Sequence, residues 1–462
     1  MTKRITGIVI AALILVTAYF LPDPEGLSTA GKMGLAVLFS GVSLWLFESF
    51  PTAITGFILL LLMPILDVIT FPEAVAGFMS PVLLFILGAF SLTIAMMNTN
   101  LGARITGVLL NWAGDNSEKL VLGFMLAGCL VSSIMQNTTT TMLFLGIAFT
   151  LVAAMGAKPR ESNLVKALML GIPLAVMTGG IATPIGTAIN VMGMQVLSDV
   201  AGLSISFLQW TVIAYPIALV MVFVEWFFIV KVFKPEPVNK EALAVLEKEV
   251  AAAGPFSVQE IKLVSIIGLL LVLWFAGAWF PQINSTMVAL LGLILFFVPG
   301  IDLMTWDDYN KGVPWSVLLV IGCIMSVAGG VLATGGASWM AEGLVASVSG
   351  LSGLVVLLIV TTFVVLLHAV FPMGPALVGL LIPPLAAVGM STGLFSPVAI
   401  TLIVSMGVGV CYLLPLNPVL MITYSPGHYT MGDVFKTGLV PTIVFILLLT
   451  FWVSFMMPIV GL

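Results

Sequence analysis

The chain runs to 462 residues, of which 61% are hydrophobic and 8% charged, against roughly 25% charge in soluble domains; its mean hydropathy is +1.24. That composition excludes a soluble globular fold and leaves an all-α polytopic membrane protein. The formal net charge of −5 is spread thinly, and with neither a basic stripe nor interleaved aromatics it excludes nucleic-acid binding.

In chain order, apolar windows predict about 11 membrane spans, near 5–21, 31–47, 52–67, 80–98, 164–196, 208–231, 258–279, 283–299, 313–333, 396–424 and 435–460. The first follows Lys3-Arg4, is long enough to cross, and lacks a small-residue cleavage site, so it reads as a transmembrane helix and not a signal peptide. Two further windows, 119–156 and 351–391, are too long for one span and carry a polar or Gly/Pro break at their middle. They read as re-entrant hairpins that enter and leave by one face. The windows 164–196 and 396–424 are overlong and interrupted, which predicts two broken helices. Cys129, Cys323 and Cys411 lie in apolar runs and read as small buried hydrophobes, not as a disulfide or metal set.

Charge sets the orientation. With a cytoplasmic N-terminus and hairpins that do not cross, every Lys and Arg except Lys32 falls on the cytoplasmic side, as the positive-inside rule requires. The C-terminus then lies outside, and the protein is expected in the plasma (inner) membrane. The segment 234–257, rich in Ala, Leu, Glu and Lys, suits a cytoplasmic surface helix. Pro81 to Gly88 recurs loosely as Pro314 to Gly322, each followed by a hairpin and a broken helix, and in the charge-based topology the copies are inverted. Four units follow: scaffold helices in 1–80, a first repeat transport unit in 81–200, scaffold helices with the surface helix in 201–300, and a second transport unit with the final helix in 301–462.

Polar and helix-breaking residues inside apolar segments mark the candidate site. Gln136-Asn137-Thr138-Thr139-Thr140-Thr141 lies at the first hairpin tip, and Gly179 to Thr187 interrupts the first broken helix. A tip and a break each expose the N-terminus of the next helical segment, with free amides and the positive end of a dipole, so anions bind there. Two tips and two breaks supply four such termini. Ordinary interhelical hydrogen bonding is the bland alternative for the Thr run.

Gln136-Asn137-Thr138 resembles the Ser-Asn-Thr hairpin-tip signature of the divalent anion/sodium symporter family, the sodium-coupled dicarboxylate carriers. Gly179 to Asn190 is similar to that family's Gly-Thr-Pro-Pro-Asn break, with Ala188-Ile189 in place of the two prolines. The resemblance implies a sodium site lined by Ser132, Gln136, Asn137 and Gly186, and substrate contacts from Asn137, Thr138 and Thr187. It further implies sodium as coupling ion, a small carboxylate substrate, an elevator movement and a homodimer. Oxygen ligands suit sodium, although Gln136 is longer than the family's Ser.

The second half departs from the signature. Met373-Gly374-Pro375 stands at the second tip and Leu414 to Val419 at the second break, so hydroxyl and amide ligands are lost. Gly374-Pro375 and Asn417-Pro418 read as N-cap to N1 pairs, which keeps Gly374, Asn417 and Pro418 as substrate-side candidates while the second cation site is weakened or absent. His368, on the arm leading to the second tip, is a candidate proton or anion site, or else a hydrogen-bonded packing residue. His428 reads as a solvated loop residue, and Glu225 as lying near a helix end or against a neighbour, with no part in the site.

These features together predict a secondary active carrier. A proton-coupled carrier or anion exchanger is the alternative within transport. A passive channel fits broken-helix tips less well, and an intramembrane enzyme is remote, because His-Glu-x-x-His, Gly-x-Ser-x-Gly and Gly-Lys phosphate-loop signatures are all missing.

Overall fold

The computed structural model describes residues 2–156, 158–238, 244, 248, 254–280, 282–348 and 350–462, and among them every regular element is helical. Helix α1 (Thr2–Phe20) packs on α2 (Thr29–Leu46). From α2 the order continues with α3 (Thr52–Ile65), α4 (Phe71–Ala76), α5 (Pro81–Met97), α6 (Leu101–Ala113), α7 (Ser117–Ser132), α8 (Asn137–Ala154), α9 (Asn163–Gly180), α10 (Ala188–Ala201) and α11 (Phe207–Phe233). A second series follows in the same order: α12 (Val258–Ala276), α13 (Ser285–Phe297), α14 (Trp306–Gly312), α15 (Trp315–Ala333), α16 (Gly336–Val348), α17 (Gly353–Val370), α18 (Gly374–Thr392), α19 (Pro397–Gly407), α20 (Pro418–Tyr424) and α21 (Met431–Ile459).

Local chemistry explains most of the boundaries. Asn116, Ser162, Ser352 and Ser396 sit just ahead of apolar runs and accept hydrogen bonds from the first-turn amides of α7, α9, α17 and α19. Capping boxes start α11 (Ser206 with Gln209), α12 (Ser257 with Glu260) and α21 (Thr430 with Asp433).

The two series pack reciprocally. Helix α5 lies along α13 and α15 along α3, while α11 and α21 pair with each other. Small residues permit the closest crossings: a side chain at Gly88 would sit 2.5 Å from the Ala289 backbone, and one at Gly56 2.9 Å from Cys323. Helix α9 is the centre of the bundle, with 89% of its span buried, because it is apolar all round; α1, 11% buried, lies on the periphery.

Among the described residues, eleven helical stretches, one of them Phe71–Met97 running through α4 and α5, are long and apolar enough to cross a membrane. Three of them, α8, α17 and α18, are arms of the windows read as hairpins. Conversely, the spans expected near 52–67, 283–299 and 396–424 contain apolar helices that are shorter, Thr52–Ile65, Ser285–Phe297 and Pro397–Gly407. The breaks fall where polar and Gly/Pro residues predicted them: residues 133–136 separate α7 from α8, 181–187 α9 from α10, 371–373 α17 from α18, and 408–417 α19 from α20. Helices α6 and α16 had no counterpart among the expected elements. The surface helix expected over 234–257 falls largely outside the described residues.

Candidate functional site

Both tips and both breaks meet at one cavity of about 290 Å³. Gln136, Asn137 and Thr138 line it from the start of α8, Thr187 from the first break, Met373, Gly374 and Pro375 from the second tip, and Asn417 and Pro418 from the second break. His368 contributes from α17. Every substrate-side residue singled out in the sequence therefore faces the same space. The remaining wall comes from Thr52 at the start of α3 and from Ser316, Val317, Val320 and Ile321 in the first turns of α15. Sequence reading missed Thr52 and Ser316. Both follow a proline at a helix start, and Ser316 lies within the Pro314 repeat, which was the available signal.

Among the described residues no Lys, Arg, Asp or Glu lines the cavity, and His368 is the one titratable side chain there. An anion there is met by helix termini and neutral donors. Of the four helices that begin at the tips and breaks, three, α8, α10 and α18, start without any side-chain cap, so their first-turn amides have no side-chain partner. The fourth, α20, is capped by Asn417, whose Oδ1 accepts from the Val419 amide at 2.9 Å. Asn417 is thus the N-cap that its place before Pro418 predicted. The N-cap of α18 is Met373, which places Gly374 inside the first turn, one position later than the sequence pairing had it.

The first tip and first break form a compact set of oxygens. The Ser132 hydroxyl donates to Asn137 Oδ1 at 2.7 Å. A side chain at Gly186 would lie 2.5 Å from the Gly180 carbonyl oxygen and 2.9 Å from that of Ser132, and one at Gly180 would collide with the Asn137 amide. Glycine at both positions lets these oxygens converge. Asn190 Nδ2 fixes the break by donating to the Gly180 carbonyl at 2.9 Å and to that of Thr183 at 2.7 Å, leaving its own buried Oδ1 without a partner. Thr183 donates to the Ser133 carbonyl and so ties break to tip. Three of the four residues assigned to sodium, Ser132, Asn137 and Gly186, are adjacent in this cluster. Gln136 lies beside them, its backbone N–H donating to the Thr93 hydroxyl at 3.2 Å, and it lines both the main cavity and a void of about 10 Å³ shared with Gly186. Hard oxygen donors at close quarters fit a small monovalent cation.

His368 is 1% exposed, and neither ring nitrogen has a hydrogen-bond partner. His428 differs from expectation: it is 6% exposed and packs against the Phe149 ring instead of facing solvent, and burial lowers its pKa. Glu225 lies against a neighbour, the second of the two placements expected for it: it is fully buried, with its carboxylate accepting the Thr178 hydroxyl of α9 at 2.6 Å.

The model of the family described as "Sodium:sulfate symporter transmembrane region" matches residues 2–462. Among curated proteins, the sodium-dependent dicarboxylate transporter SdcS of Staphylococcus saprophyticus is 26% identical over 98% of this chain and 92% of its own length. The protein of the same name in Staphylococcus aureus strain MRSA252 is 23% identical over 99% and 92%. Among solved structures, the Alcanivorax borkumensis YdaH transporter superposes with a TM-score of 0.56 at 14% identity, covering 98% of both chains. Neisseria gonorrhoeae MtrF, from a class of antimetabolite efflux pumps, gives 0.58 at 13% identity over 98% of this chain and 94% of its own. At such identities the likeness is one of fold.

Proposed function

This chain belongs to the sodium:sulfate symporter family, and on that premise we propose that it carries a small carboxylate anion, a di- or tricarboxylate, across the plasma (inner) membrane together with sodium. The supporting observation is the single cavity walled by two tips and two breaks without a charged side chain. At about 290 Å³ it is at the lower end of ligand sites, which suits a small ion. The uncapped starts of α8, α10 and α18 each stabilise negative charge by about 0.3–1 kcal/mol when exposed and up to ~2 when partly buried. Three converging termini give a useful affinity, yet one weak enough for release.

Sodium binds at Ser132, Gln136, Asn137 and Gly186, and the anion touches Asn137, Thr138 and Thr187, with Gly374 and Pro418 on the opposite wall. Asn137 serves both ligands. Each ligand then tightens the other by the same factor, which is how one gradient drives the other flux. In the second half the Asn417 oxygen caps α20 and Met373-Gly374-Pro375 offers no side-chain oxygen, so the second cation site is weakened or absent. His368, unpartnered in the wall, adds positive charge toward the anion when protonated.

The transport units 81–200 and 301–462 move against the scaffold in 1–80 and 201–300, carrying the cavity between faces in an elevator-type cycle, within a homodimer with a cytoplasmic N-terminus and an external C-terminus. The matched order and reciprocal packing of α2 to α11 with α12 to α21 support an inverted repeat. A second reading, a proton-coupled carrier, is favoured by the altered second half. Uptake of labelled mono-, di- and tricarboxylates into proteoliposomes under imposed sodium or proton gradients decides between them. Dicarboxylate accumulation driven by sodium supports the first reading, accumulation driven by protons alone supports the second, and no uptake of any carboxylate removes both.

A further inference from the structure

We propose that Glu225 is a proton-binding site that ties protonation to both helix breaks, an inference that rests on the transport reading above. Helix α11 is otherwise apolar through its centre, and Glu225 is completely buried there. One carboxylate oxygen accepts the Thr178 hydroxyl at 2.6 Å, and that hydroxyl shares a hydrogen bond of 2.7 Å with the Tyr412 phenol. Thr178 occupies the last turn of α9, immediately before Gly179-Gly180 and the first break. Tyr412 lies inside the second break, between Gly409 and Asn417 of the cavity wall. One carboxyl group therefore reaches both breaks through a single hydroxyl.

The other carboxylate oxygen is buried and has no partner. The titratable groups that face Glu225 are Tyr412 from the second break and Cys129 from α7, and neither supplies a positive charge. From α21 the Phe445 ring packs against Tyr412, and the buried carboxylate of α12, Glu260, is paired with Arg104. Among the described residues no cation faces Glu225. An ionised carboxylate buried without a counter-charge is expensive, whereas the neutral acid is not, and its O–H can donate. A purely structural role for linking Thr178 to Tyr412 needs only an amide. The ionisable group is explained by the ligand it takes, a proton from solvent.

When the second break rearranges and Tyr412 parts from Thr178, water reaches the carboxyl, which loses its proton to give carboxylate and H⁺; the return step takes one proton back. One proton then moves per cycle, from a carboxyl group whose release is set by the second break.

Infrared spectroscopy of the purified full chain in lipid tests occupancy without any transport. The wild type is expected to show a protonated-carboxyl C=O band at near-neutral pH that vanishes in Glu225→Gln and shifts in Glu225→Asp. A band unchanged in both variants, or missing in the wild type, overturns the proposal whether or not any anion is carried. In proteoliposomes loaded with labelled succinate, an imposed proton gradient should alter the wild-type rate, and that ratio should fall to unity in Glu225→Gln. An equal proton response in wild type and variant overturns the coupling.

Discussion

Ser132 and Asn137 are joined across the gap between α7 and α8 by a hydrogen bond of 2.7 Å, hydroxyl to amide oxygen. The bond orients the Asn137 side chain at the point where the first tip meets Gly180 of the first break. Replacing Ser132 by Ala removes about 0.5–1.5 kcal/mol of positioning, so the sodium concentration for half-maximal uptake should rise several-fold while the protein stays folded. Asn137→Ala and Thr138→Ala should abolish uptake at matched expression. Wild-type uptake in both of those variants would remove the tip from the site.

Gly180→Ala tests the same cluster from the other side. The added methyl would strike the Asn137 amide and force it away from Ser132. Overpacking of this kind costs about 1–3 kcal/mol, and the expected result is loss of sodium stimulation at a modest loss of thermal stability. Unaltered sodium dependence would mean that Asn137 is free to move without consequence.

His368 sits in the cavity wall with both nitrogens unpartnered, and no other titratable side chain lines that space. Protonation adds charge toward the anion, so succinate affinity should increase as pH falls. In His368→Gln the calorimetric affinity should become independent of pH. A pH profile that persists unchanged in the variant assigns His368 to packing alone.

How much of this was legible in the sequence can be read from particular residues. The Thr-rich tip and the Gly179 to Asn190 break stood out because polar and flexible residues are costly within apolar spans. The second tip and break were found by their prolines, which also mark helix starts. The capping role of Asn417 was legible from the proline that follows it, and the structure bears it out through the Val419 amide. The partners of Glu225 were not legible because they are remote: Thr178 is 47 positions away, and Thr178 to Tyr412 spans 234. Helices α6 and α16 are short and of mixed polarity, so a search for long apolar windows passed over them.

Arg104 on α6 is anchored to the start of α12. Its guanidinium meets Glu260 at 2.6 and 3.0 Å, donates to the Gly254 and Pro255 carbonyls, and lies 4.5 Å from the Phe256 ring centre. Glu260 is 1% exposed. Removing one partner of this part-buried pair leaves the other charge stranded without its hydrogen bonds. Arg104→Ala should lower the melting temperature sharply in detergent, and Arg104→Ala with Glu260→Gln should recover part of the loss. Equal melting temperatures for wild type and single variant would contradict the pairing.

The most direct test of sodium coupling through a shared tip is calorimetric binding of succinate to the purified protein, in sodium and in an equal concentration of a large organic cation. Asn137 at the junction of both ligands requires reciprocal linkage, so affinity should be markedly higher in sodium, and the difference should disappear in Asn137→Ala. Identical succinate affinities in the two salts would contradict the shared site and leave the cavity without a sodium partner.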